Sequence, residues 1–144
     1  MKFEFSFQKI LDFKEKEKEK AKKEFGSAKL RQLELQEKME GLELEKEKIF
    51  NHYNEVNRKT VWEIVELQNE IDHVDLQMKR LKDQSRQIHQ EVELNHQILI
   101  EKTKEAKTWN QWKEKSKAAF QKQLDREEQA MLDEMAVLRY SRRV

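Results

Sequence analysis

The sequence predicts an all-α protein, two long helices in an antiparallel coiled-coil hairpin with the second helix longer and overhanging the first. Three observations predict it. Of 144 residues, 41% are charged and only 36% hydrophobic, with no Pro and two Gly. Apolar residues recur at alternating steps of three and four along most of the chain. That recurrence loses phase near residue 60.

The composition works by exclusion. A compact domain is usually about half apolar and one-quarter charged, so this chain lacks the material for a barrel, sandwich or doubly wound sheet. Sheet folds also need Gly and Pro at their turns. Disorder comes with high net charge and few aromatics, whereas this chain carries net charge +1, three Trp and seven Phe. Long helix remains. The absence of Cys excludes disulfides, Cys-based zinc sites and thiol catalysis, and makes a cytosolic setting the default. No stretch approaches 18 apolar residues, so no membrane insertion is expected. Residues 1–7 lack the apolar run and cleavage site of a signal peptide. The near-zero net charge argues against nucleic acid as a partner.

The first helix is expected over about residues 6–54. Its stripe runs Phe7, Leu11, Lys14, Lys18, Ala21, Phe25, Ala28, Gln32, Leu35, Met39, Leu42, Lys46, Ile49, Tyr53, and on in phase to Val56 and Thr60. A seam repeating every 3.5 residues stays facing one partner in a supercoil. The polar members Lys14, Lys18, Gln32 and Lys46 weaken that seam, and isolated polar seam positions are also what fixes register. Gly26 and Gly41 each cost about 1 kcal/mol relative to Ala in a helix interior, as sites of close approach or as tolerated defects.

The steps Val56, Thr60, Ile64 are two consecutive fours. Such a step is a stutter if the helix continues, and it is equally what a chain reversal leaves. The segment Asn51 to Trp62 holds Asn51, Asn54 and Asn57, and Asn favours turns through local side-chain bonds and tolerance of left-handed dihedrals. The turn is therefore placed at about 55–62, in preference to a rival at Gln68 to Asp75. The second helix is expected over about 63–141, with a stripe from Ile64, Leu67, Ile71 and Val74 through Met78, Leu81, Ser85, Ile88, Val92, Asn95, Leu99, Lys102 and Ala106 to Trp109. After Phe120 the phase shifts to Leu124, Glu128, Met131, Met135 and Leu138. The second helix then overhangs the first by roughly 30 residues, at about 1.5 Å rise each.

The surface carries charge in blocks. Lys14 to Lys20 alternates Lys and Glu, which sets favourable i,i+3 pairs against unfavourable i,i+4 pairs and reads as a solvated face. Glu63 to Asp75 holds five acids and no base, a net −5. Lys102 to Lys122 holds seven Lys against Glu105 and Glu114, a net +5. Asp125 to Glu134 holds five acids against Arg126, a net −4, and Arg139, Arg142 and Arg143 follow. Trp109 lies on the seam, while Trp62 and Val65 lie off it beside the turn. An exposed aromatic there is a candidate hot spot for a partner; local packing that closes the turn is the rival reading. His89, Glu93 and His96 share a helix face, but zinc needs ligands that converge more tightly. No metal or cofactor is expected. No phosphate loop, nucleophile elbow or metalloprotease motif occurs, and a helix pair offers no pocket in which to tune a catalytic carboxylate. The protein is not expected to be an enzyme.

The two ends carry a resemblance. The chain opens F-x-F-x-F-x-x-I-L-x-x-K-E through Phe3, Phe5, Phe7, Ile10, Leu11, Lys14 and Glu15. It closes E-Q-x-x-L-D-E-x-A-x-x-R-Y through Glu128, Gln129, Leu132, Asp133, Glu134, Ala136, Arg139 and Tyr140. With charged heptads between, the whole chain resembles the FliJ family, the small coiled-coil protein of the bacterial flagellar type III export apparatus. The resemblance implies an antiparallel two-helix coiled coil, similar to the central stalk subunit of rotary ATPases, that hydrolyses no ATP itself. It implies three partners: the hexameric export ATPase, the cytoplasmic linker of the large export-gate membrane protein, and export chaperones. It also implies a cytoplasmic place, peripheral to the membrane. Phe3, Phe5, Phe7 and Leu11, with Leu132, Asp133, Glu134, Arg139 and Tyr140, are the expected contacts to the ATPase ring. Trp62, Ile64, Leu67 and Ile71 are the expected contacts to the export gate, although the last three also serve as seam. A parallel homodimeric scaffold, and the equivalent stalk of a virulence injectisome, are the alternatives.

Overall fold

The computed structural model describes residues 2–55 and 60–143. Two helices form, α1 over Gln8–Glu55 (48 residues) and α2 over Val61–Arg143 (83 residues). They pack against each other, and the second is the longer. No strand occurs among the described residues.

The heptad stripe is what they bury. Every seam position from Leu11 to Tyr53 on α1 and from Leu67 to Trp109 on α2 is buried or partly buried. Beyond Trp109 the covered line continues through Lys113, Ser116 and Phe120 to Leu124. Among the described residues only seven side chains are deeply buried: Leu11, Ala21, Ala28, Leu35, Val74, Val92 and Ala106. Three of these are Ala, and Ala28 and Ala106 have no exposed surface. A side chain that small is sealed only where the opposing helix closes over it, so these alanines mark the tightest stretches of the seam.

Contacts fall into two compact units. In the unit Lys20–Leu99, Arg31 bonds Glu91 at 2.6 Å and Lys46 bonds Asp75 at 2.7 Å. The Phe25 ring lies 5.2 Å from that of His96. Numbers rise on α1 as they fall on α2, so the helices run antiparallel. The unit made of Met1–Glu19 and Ile100–Val144 shows the same order, with Lys14 on Glu105 and Phe3 on Phe120. The seam that a parallel two-chain scaffold would need is thus covered within one chain.

Asn51 and Asn54 stand inside α1, and the rival turn at Gln68 to Asp75 lies inside α2. Half of the expected turn, residues 56–59 with seam position Val56 and turn candidate Asn57, lies outside the described residues. α2 begins with a cap that the sequence spells as Thr60-Val61-Trp62-Glu63: the Glu63 N–H donates to Thr60 Oγ1 at 3.2 Å, and the Ile64 N–H to the Thr60 carbonyl at 3.1 Å. A side-chain oxygen here satisfies a helix N–H that has no partner within the helix.

Gly26 and Gly41 are exposed and helical, and a Cβ built on either meets nothing within 4 Å. They are tolerated defects rather than sites of close approach. Gly26→Ala and Gly41→Ala should each stabilise the hairpin by about 0.5–1 kcal/mol. Ala28→Leu, two residues away but on the sealed face, should destabilise it by about 1–3 kcal/mol through overpacking. Urea midpoints of the three variants check the contrast, which vanishes if residue 28 is not sealed.

Candidate functional site

The end of the hairpin formed by Met1–Glu19 and Ile100–Val144 brings together most of the candidate residues. Residues 2–7 are not helical, and a turn in which the Gln8 N–H donates to the Phe5 carbonyl at 3.1 Å leads into α1. The rings of Phe3, Phe5 and Phe7 all reach α2. Phe7 sits 5.9 Å from the Trp109 ring and 4.9 Å from that of Trp112; Phe5 lies 6.2 Å from Trp112, and Phe3 lies 5.5 Å from Phe120. Trp109 and Trp112 themselves meet at 5.1 Å. Tilted and edge contacts at these distances are the favourable geometries for aromatic pairs. The F-x-F-x-F motif therefore fastens the N-terminus to α2. Trp112 and Phe120, absent from the candidate set, are part of this fastening.

Behind the aromatics lies an alternating ionic cluster. Lys14 contacts Glu105 at 3.1 Å and Glu17 at 3.8 Å, while Lys102 contacts Glu17 at 3.2 Å and Glu105 at 3.9 Å. Asn110 donates to Glu15 at 2.6 Å. The hydrogen bond to Glu105 raises the Lys14 ammonium above its ordinary pKa, against partial desolvation. The same bond holds the Glu105 carboxyl below its own ordinary value.

Beyond Phe120 and Leu124 the cover ends. Residues 125–142 of α2 are exposed throughout. Met131, Met135 and Leu138 fall at i, i+4 and i+7, continuing the seam with no helix opposite, and are 61%, 56% and 63% exposed. Leu132 flanks that line and Tyr140 lies farther round, both exposed. The expected terminal pair is therefore not one patch. Phe3, Phe5 and Leu11 are covered by packing and Phe7 is partly exposed, whereas Leu132, Asp133, Glu134, Arg139 and Tyr140 stand on the bare helix.

The second candidate set lies in the unit Lys20–Leu99. Trp62, in the first turn of α2, is 72% exposed, with Val61, Ile64 and Val65 exposed beside it. Leu67 and Ile71 are partly buried on the seam. Of the neighbouring acids, Asp75 pairs with Lys46 and Asp72 accepts a hydrogen bond from Gln68, while Glu63, Glu66 and Glu70 are exposed. Among the described residues no group of three His, Asp or Glu is placed to hold a metal. His89 contacts Glu93 at 3.1 Å, and His96 lies against Phe25. No helix is long and apolar enough to cross a membrane, among the described residues.

These features define a charged two-helix coiled coil whose candidate surfaces are exposed apolar stripes on helix. Over residues 2–144 the chain matches the family described as Flagellar FliJ protein, and it belongs to that family. The family is a component of flagellar protein export and not a known enzyme family. No curated protein and no solved structure matches the chain.

Two tests follow from the geometry. Phe7→Ala should cost about 1–2 kcal/mol, less than a fully buried Phe, and shift Trp emission to the red as Trp109 and Trp112 are uncovered. The ionic cluster has a pH signature. Glu105, with its folded pKa depressed, contributes above the unfolded carboxyl value of about 4, and loses that contribution as pH falls through the folded value. Lys14, with its folded pKa raised, contributes below about 10 and loses its share as pH rises through the folded value. Glu105→Gln should therefore lower the urea midpoint at pH 7, and the difference from the wild type should shrink as pH falls through the folded value of that carboxyl.

Proposed function

We propose that this chain is a non-enzymatic stalk of the flagellar type III export apparatus, coupling the hexameric export ATPase to the membrane export gate and assisting delivery of chaperoned substrates. The observation that carries the reading is the bare seam on residues 125–142. An apolar helix stripe with nothing opposite is a docking edge for a partner of the same kind, read as anchors at i, i+4 and i+7. In this reading Leu132, Asp133, Glu134, Arg139 and Tyr140 meet the ATPase ring. Phe3, Phe5, Phe7 and Leu11 hold the base of that projecting helix, with the exposed part of Phe7 completing the contact. A single hairpin within a six-fold ring cannot touch all subunits equally, and that asymmetry suits the coupling of hydrolysis to gate opening.

Trp62 and Ile64, with Leu67 and Ile71 behind them, form the face toward the cytoplasmic linker of the export gate. Exposed Trp is the residue type most often found to dominate binding energy at interfaces. The acids of 63–75 would steer encounter with a basic partner surface. Attachment to the gate would keep the protein cytoplasmic and peripheral to the membrane. Export chaperones would bind the same rod, and cell motility would depend on it.

The two surfaces should be separable. Leu132→Asp combined with Met135→Asp should weaken binding to the purified ATPase at least about tenfold, as the loss of a docking anchor does, and leave gate binding unchanged. Trp62→Ala combined with Leu67→Ala should do the reverse. Binding isotherms alongside circular dichroism decide the matter. Undiminished ATPase affinity in the first variant, with normal helicity, removes the ring assignment.

A further inference from the structure

We propose that the projecting end of α2 pairs with the same segment of a second copy of this chain, antiparallel, about a two-fold axis at the level of Asp133, between Leu132 on one flank and Glu134 on the other. The pairing does not rest on the ATPase reading, and it would compete with that partner for one face.

The seam supplies the first reason. Leu124, Glu128, Met131, Met135, Leu138 and Arg142 keep the three–four spacing of the hairpin's own covered line, so the segment is already patterned for a helix opposite. In antiparallel register Met131 of one copy meets Met135 of the other, twice over by symmetry. Glu128 falls opposite Leu138, and Leu124 opposite Arg142.

The charges supply the second reason, and they choose the occupant and its direction. The segment is acidic over 125–134 and basic at Arg139 and Arg142. Antiparallel pairing lays each half on its complement. Positions flanking the seam on one side are Asp125, Leu132 and Arg139. Across the axis Asp125 meets Arg139 of the second copy, Arg139 meets Asp125, and Leu132 meets itself. This gives the exposed Leu132, which lies off the apolar line, a place to be buried. Parallel pairing would instead set Glu128 and Arg142 each against its own copy. An isologous interface must be complementary to itself, and this segment is so only when reversed. One like-charge contact remains, Glu134 against Glu134 on the other flank. A single pair of half-turned helices this short buries an area near the low end of specific interfaces, about 1,200 Å² or less, so the association is reversible and concentration-dependent.

Sedimentation equilibrium of the full chain over a concentration series tests it. The expected result is a monomer–dimer equilibrium. Arg139→Asp should weaken it roughly tenfold by setting two acids face to face twice, and Asp125→Arg added to Arg139→Asp should restore it to within about threefold. Glu134→Gln should tighten it. The chain has no Cys, so direction is read by cross-linking: Met131→Cys mixed with Met135→Cys should yield the mixed disulfide, whereas a parallel pair would yield each variant linked to itself. Circular dichroism confirms that every variant remains helical. A mass of one chain up to about 1 mM, the weak limit of specific association, overturns the pairing and leaves the stripe to a partner of different sequence. Self-linked products alone, or a charge exchange that does not restore association, also overturn it.

Discussion

A pair of helices has one line of burial, and everything else about this protein depends on how that line is held in register. Apolar contacts repeat every heptad and by themselves would accept a slip of one heptad. The polar seam positions do not. Lys46 reaches Asp75, Lys14 reaches Glu105, Lys102 reaches Glu17, and Arg31 beside the seam reaches Glu91. Exposed ion pairs of this kind each add little to stability. Their effect is discriminating. Moving α2 by seven residues would set Lys46 against Lys82 or Gln68, Lys14 against Trp112 or Ile98, and Arg31 against Ile98 or Gln84. All four of these cross-helix ion pairs are lost together, in either direction. Lys14, Lys46 and Lys102 weaken the seam as hydrophobic packing and define it as a register.

The stripe was legible in the sequence because periodicity is a property of local chain. Every α1 position from Leu11 to Tyr53 read as seam is covered. Features that depend on what lies opposite were not legible in the same way. The partners of Lys14 and Lys46 require the register, which no single helix contains. Asn51 and Asn54 pointed to a turn, but Ile49 and Tyr53 lie on the covered face between and beside them, and seam burial outweighs an intrinsic preference of a few tenths of a kcal/mol. One feature of the structure is spelled out locally in the sequence: Thr60 to Glu63 has the T-x-x-E form of a helix cap. The ends of the chain, read together as one terminal pair, are set apart because one end is packed and the other is bare.

That separation has a geometric origin. The chain enters α1 through a turn, with the Gln8 N–H donating to the Phe5 carbonyl at 3.1 Å, and the non-helical residues before it lay Phe7 on Trp109 and Trp112 and Phe3 on Phe120. Cover on α2 ends a few residues beyond Phe120, at Leu124. The boundary between the part of α2 that stabilises the hairpin and the part open to other molecules therefore falls where the N-terminal aromatics stop. The aromatic contacts that hold those residues in place, between Phe3, Phe5, Phe7 and the rings of Trp109, Trp112 and Phe120, determine how much helix is left to bind.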